Sequence, residues 1–369
     1  MHMKMYRRYL TVLMITVITI VLVTLLLHMT LPTQVQAQSF DRKAMLENTA
    51  QVFLDCHQAF SQKAQALNKV TQAFVELPSV ETLELTQAAW KEAGYAWAQC
   101  EFYEIGGLEV MILHNQINKA PNTLQIEEAL ASDVVLDSAF IEKKGSTMKG
   151  LATLELFLFN PEGNQVILQS FSDSRRRDYL KALGENLERK ASELVNHWSA
   201  EGENYIATFA AADQADGSVK GSTNMLMNEL INSLEKVARE KIYNPLGDVS
   251  SDERKPEISE AYLSRTSLER IKGNIISAQH MFTGGQGQGI DDYLVFLGAD
   301  KLSRQITDQL EATLEAIDQI DEPFEDALVN HPERISQVYN ALKNLLILIS
   351  VDAANQLGIT VTFNDSDGD

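Results

Sequence analysis

The chain has 369 residues and a formal charge of −20, from 51 acidic side chains against 31 lysines and arginines. That balance argues against nucleic acid or an anionic lipid surface as partner, and it favours solubility and the attraction of cations. The length is enough for two helical bundles or one large domain.

Residues 1–37 read as a segment separate from the fold. Lys4, Arg7 and Arg8 make a basic start, Tyr9 to Met29 is apolar, and Val35-Gln36-Ala37 offers a small-x-small cleavage site before Gln38. Two readings stand: a cleaved signal peptide, or an anchor in the membrane through residues 9–29, since about 20 apolar residues span a bilayer. No Cys follows the apolar run, so a lipoprotein is not expected. Export to the periplasm or cell envelope follows from either reading. The first 37 residues carry no acid, so the exported part is more negative than the whole chain.

From Asp41 onward, apolar residues recur with a helical period. The runs are Asp41 to Glu76, Val80 to Tyr103, Thr147 to Phe159, Arg175 to Ala212, Val219 to Tyr243, Ser264 to Phe282, Asp300 to Ile320 and Pro332 to Gln356. Only Val134 to Ile141 and Gly358 to Phe363 look β-like. The fold class is therefore all-α, as two up-down helical bundles with long loops. The small, polar stretch Ala212 to Ser218 divides them, giving bundles at 38–212 and 213–369. Pro245 to Pro256 and the glycine-rich Gly284 to Gly289 are further loops.

The two cysteines are Cys56 and Cys100. Pro78 lies midway between them. In an antiparallel hairpin turning there, both stand at the same height, so an oxidising compartment would pair them. Two buried free thiols are the other reading.

The segment Lys149-Gly150-Leu151-Ala152-Thr153-Leu154-Glu155-Leu156-Phe157 places one carboxylate inside an apolar run. Buried there, Glu155 needs a hydrogen bond, a cation or a proton. Lining the polar edge of an amphipathic helix is the plainer reading. Gly150-x-Ala152-x-x-Glu155 resembles the Gly-x-His-x-x-Glu motif of the imelysin (iron-regulated protein A) family, with Ala152 replacing the His. Pro256-Glu257, Glu260, Ser264, Ser267 and Leu268 are similar to a second block of that family, which Asn274, Ile275, Phe282 and Gly284 continue. Leu357 to Asp369 resembles its usual C-terminus. The resemblance implies a pair of related four-helix bundles with a site between them. It implies a ligand-binding set of Gly150, Ala152, Glu155, Trp97, Glu101, Glu260, Ser267 and Asn274. Glu155, Glu101 and Glu260 would be the metal ligands if they converge. Lys241, in a run similar to the family's Lys-x-x-x-Pro-Leu-Gly, either pairs with one of these acids or is a solvated helix-end lysine.

Other patterns carry less. Ser264 reads as a helix N-cap. Of the exported histidines, His57, His114, His197, His280 and His331, none stands three or four residues from another, which excludes a His-Glu-x-x-His peptidase. Ser146-x-x-Lys149 lacks the companion motifs of penicillin-recognising enzymes. The glycine-rich loop lacks a P-loop ending, and the acidic tail 364–369 lacks the spacing of a calcium loop.

The expected function is that of an exported binding protein tied to iron or other metal uptake and acting without catalysis. Its expected ligand is a small molecule or metal ion, iron or another divalent metal, and other cell-envelope iron-uptake proteins are expected partners. A peptidase, and an envelope interaction module with a degenerate site, are the alternatives.

Overall fold

The computed structural model describes residues 2–29, 39–212, 221–247 and 253–362. Residues 1–40 form one unit and residues 41–369 another. The first holds helix α1 (His2–Met29), whose stretch Met5–Thr24 is long and apolar enough to cross a membrane. The Val35-Gln36-Ala37 site lies outside the described residues, as does all but Ala212 of the linker expected at Ala212 to Ser218.

The second unit begins with the long hairpin of α2 (Arg42–Glu76) and α3 (Val80–Cys100). Pro78 ends α2, and a reciprocal cap between Ser79 and Thr82 starts α3. The hairpin brings Cys56 and Cys100 together as a disulfide, with Cα atoms 5.7 Å apart. Helices α4 (Leu108–Ile117), α5 (Thr123–Ala131) and α6 (Ser138–Glu142) then lead to α7 (Gly150–Leu158). After α8 (Asn164–Ser170), α9 (Ser174–Trp198) packs along α2, and α10 (Tyr205–Ala211) follows. Trp90, Trp97, Trp198, Phe53 and Phe60 are almost fully buried in this half. Phe53 stacks on Tyr103 at 4.1 Å and meets Trp198 edge-on at 5.4 Å.

The second half runs from α11 (Ser222–Lys236) directly into a π-helical stretch, Val237–Tyr243, and on into α12 (Asn244–Leu246). Helix α13 (Ser267–Thr283) follows, then α14 (Ile290–Phe296), α15 (Asp300–Asp318), α16 (Phe324–Asn330) and α17 (Pro332–Ile347). A second π-helical stretch, Leu348–Ala353, continues into α18 (Ala354–Leu357). Helix α13 lies against α3 and joins the two halves. Their approach is close because the contact residues are small: a Cβ on Gly273 would fall 2.8 Å from that of Ala98.

Three expectations are corrected. No strand occurs among the described residues. The run 134–141 ends in α6, and after left-handed Gly358 residues 359–362 form no regular element. Helix side chains take the place of a partner strand: Asn228 Nδ2 donates to Thr360 O at 3.0 Å, and Thr362 N donates to Asn228 Oδ1 at 2.7 Å. The single helix expected at 175–212 is broken at Ser199–Asn204, where Asn204 is left-handed (φ 55°). Gly202 allows this turn, since a Cβ there would fall 2.0 Å from Asn196 O. Ser264 is not a cap, because α13 starts at Ser267.

Candidate functional site

Glu155 is 6% exposed, on the face of α7 turned toward the second half. Its Oε1 accepts the backbone N–H of Ser264 at 2.8 Å. Burial pushes its carboxyl up, while that hydrogen bond and the Arg270 charge oppose the rise. Gly150 fixes where this helix starts. With φ +82° it sits under the last carbonyls of α4, and a Cβ would fall 2.4 Å from Ile117 O. Ala152 is half-buried one turn before Glu155.

Glu101, Glu260 and Asn274 meet around a lysine. Lys241 Nζ donates to Glu101 Oε2 at 2.6 Å and to Asn274 Oδ1 at 2.9 Å, and lies 2.9 Å from Glu260 Oε2. Asn274 Nδ2 in turn donates to Glu101 Oε2 at 3.0 Å and to Ala98 O at 2.8 Å. Glu260 Oε1 accepts from Asn118 Nδ2 at 2.8 Å. Burial by itself raises the Glu101 carboxyl, but Lys241, Lys236 and the hydrogen bonds together hold it at about 2. Lys241 projects from the π-helical stretch, whose wide turn sets its direction. Of the two readings of Lys241, this is the paired one, and the lysine engages both acids.

Arg270 links the two groups. It is 2% exposed, lies over the Trp90 ring at 4.9 Å, and has its Nη1 3.9 Å from Glu260 Oε1. Its Nε and Nη1 have no hydrogen-bond partner among the described residues. Gly94 makes room for it, since a Cβ there would fall 2.3 Å from Nη2.

The remaining residues of the expected set stand apart from Lys241. Ser267 accepts from Ala261 N at 3.1 Å and donates to buried Glu325. Trp97 is a core residue, in ring contact with Phe60 at 5.1 Å and His114 at 4.8 Å. Sequence reading did not find Arg270, Asn118 or Glu325. Arg270 had a signal, since Ser267, Arg270 and Asn274 recur at three and four residues on α13. Asn118 and Glu325 had none.

A family model for imelysin, peptidase M75, matches residues 53–350. The chain belongs to the imelysin family. It is similar to iron-regulated protein A of Synechococcus elongatus, with 23% identity over 290 residues, or 77% of this chain and 74% of that one. Among solved structures it resembles one from Parabacteroides distasonis assigned as an iron-regulated protein A precursor (TM-score 0.70, 19% identity). The likeness covers 85% of this chain and 94% of that one. It also resembles an imelysin-like protein from Psychrobacter arcticum (TM-score 0.71, 18% identity), over 88% of this chain and 97% of that one. These structures share the all-α fold of this imelysin-family chain.

Proposed function

We propose that this imelysin-family protein is an exported, non-catalytic binding protein of iron or other metal uptake. Its ligand site is the seam between two bundles, 38–212 and 213–369, around Glu155. The apolar α1 after a basic start supports export to the periplasm or cell envelope, and the name of the Synechococcus relative supports the link to iron.

The observation that carries the site is the burial of Glu155 beside a guanidinium with two unfilled donor positions. Burying such charge without full pairing is costly, and a ligand that completes the pairing recovers the cost. Charge balance also shapes the cargo. Glu101 and Glu260 share the Lys241 ammonium, which stands where a cation ligated by both would be. A metal ion held by Glu155, Glu101 and Glu260 therefore has to displace Lys241, whereas a metal carried with its own anionic ligands meets Arg270 directly.

The test uses the full chain, purified in mild detergent and stripped of metal, beside Glu155→Gln. Fe(II), Fe(III), Zn(II), Cu(II) and Ca(II), and Fe(III) as its citrate complex, are titrated by calorimetry. Loss of one bound equivalent in Glu155→Gln is the expected result. Binding of none of these, or a stoichiometry that Glu155→Gln leaves unchanged, rejects the seam as the site.

A further inference from the structure

A cavity of about 560 Å³ opens between α4 and the end of α9. Leu108, Ile112 and Leu113 form its apolar wall, and Glu109, His197 and Glu203 lie on its polar side. These three come from separate segments: the first turn of α4, the last turn of α9, and the turn that breaks the chain before α10. One carboxylate oxygen of each Glu and one ring nitrogen of His197 all lie within 4.8 Å of one another.

We propose that Glu109, His197 and Glu203 form a binding site for a divalent first-row transition-metal ion, distinct from the seam at Glu155. Donors about 2.0–2.2 Å from such an ion stand roughly 3.3–4.4 Å from each other, so the present spacing closes with small side-chain movements. The parts differ in stiffness in the way a site needs. His197 is 6% exposed and stacked on Tyr205 at 4.7 Å, so the imidazole is fixed. The carboxylates of Glu109 and Glu203 are exposed and adjust to it.

The charge of the group is unmet. Neither Glu109 nor Glu203 pairs with a Lys or Arg among the described residues. Lys190, the cation lining the cavity, is engaged by Glu142 at 2.7 Å and Glu193 at 2.9 Å. The imidazole is unmet too. Its Nδ1 is 2.7 Å from Glu203 Oε2, but its buried Nε2 has no hydrogen-bond partner among the described residues. Glu203 Oε1 accepts from Asn196 Nδ2 at 3.3 Å, which steadies the carboxylate from outside the group. One nitrogen with two carboxylates suits Zn(II), Fe(II) or Mn(II), and the imidazole disfavours Ca(II) and Mg(II), which take oxygen ligands. Three protein donors leave further coordination positions open toward the cavity.

The experiment is calorimetric titration of the metal-stripped full chain in mild detergent with Zn(II), Mn(II) and Ca(II). Glu109→Gln, Glu203→Gln and Glu155→Gln are titrated in parallel. We expect one Zn(II) equivalent whose affinity falls at least tenfold in each of the first two variants, with Ca(II) at least a hundredfold weaker. Cu(II) bound at the site should show nitrogen hyperfine coupling from one imidazole by electron paramagnetic resonance, lost in His197→Gln. If His197→Gln does not fold, the two variants at exposed positions decide. Absence of Zn(II) binding, or affinity unchanged in both Glu109→Gln and Glu203→Gln, overturns the assignment. A sole equivalent that these variants keep and Glu155→Gln loses belongs to the seam and overturns it as well.

Discussion

Lys241 and Glu101 are 140 positions apart in sequence and 2.6 Å apart in space, as an ion pair that is almost fully enclosed. With Glu260 on the other side of the ammonium, one cation serves two largely enclosed acids; Asn274 shares Glu101 Oε2 with the lysine, and Asn118 takes the second oxygen of Glu260. Such a group stabilises little relative to a well-packed apolar core, yet it is costly to break, because the surviving charges stay buried.

Replacing Lys241 by Met should therefore cost about 3–5 kcal/mol. Adding Glu101→Gln to that variant should restore part of the loss, since one stranded carboxylate becomes neutral. Urea unfolding of the two single variants and the double variant measures the coupling, and additive effects would contradict it.

Gly150→Ala should destabilise by about 3 kcal/mol or more, because a left-handed backbone and a collision with fixed carbonyls act together. The carbonyls are those of Gln116 and Ile117, on another helix, and cannot yield as a flexible side chain would. Gly145→Ala is the control, since φ is ordinary and a Cβ there meets nothing within 4 Å. Thermal melts of the two variants should differ by several degrees.

Stability should fall on the acid side in two windows. Burial lowers His114 from 6.5 to about 3, with Glu101 opposing the shift and Lys236 adding to it. An unfolded His114 binds a proton between these values and the folded one does not, so stability is lost as pH falls from 6.5 toward 3. Glu101, held at about 2 against 4.5 unfolded, adds stability that is complete above 4.5 and lost as pH falls toward 2. Unfolding free energies from pH 7 to 3 should show the upper window reduced in His114→Gln, with buried His57 and His280 supplying the rest, and the lower one reduced in Glu101→Gln.

The Cys56–Cys100 bridge closes a loop of sequence separation 44, and a loop of that size is worth about 4 kcal/mol by chain entropy. Cys56→Ser with Cys100→Ser should lower the urea midpoint accordingly. Reductant should lower that of the parent chain and leave the double variant unchanged.

Much of this arrangement was legible in the sequence. The helical period gave the elements, and Pro78 placed the two cysteines at one height. Glu155 stood out because its neighbours are Leu and Phe. Other features left no local trace. His197 and Glu203 meet only because the chain turns back at Gly202, where the apolar pattern reads as one continuous helix. The Thr360 to Thr362 segment carries a strand-like pattern, but the amides that hold it are Asn224 and Asn228, one turn apart on a helix. Arg270 reads as a helix-surface residue until α3 is placed against α13.

The π-helical stretch at Val237–Tyr243 has a consequence for how the chain tolerates change. A wide turn holds one residue more than an ordinary one, and each residue of an α-helix advances about 100° around the axis. Were the same residues to tighten into an ordinary helix, Lys241 would be swung by about a quarter-turn, off the carboxylates of Glu101 and Glu260. The stretch absorbs the extra residue between helix α11 and the seam, so what it has to keep is the match between its count of residues and its wide turn, more than their identities.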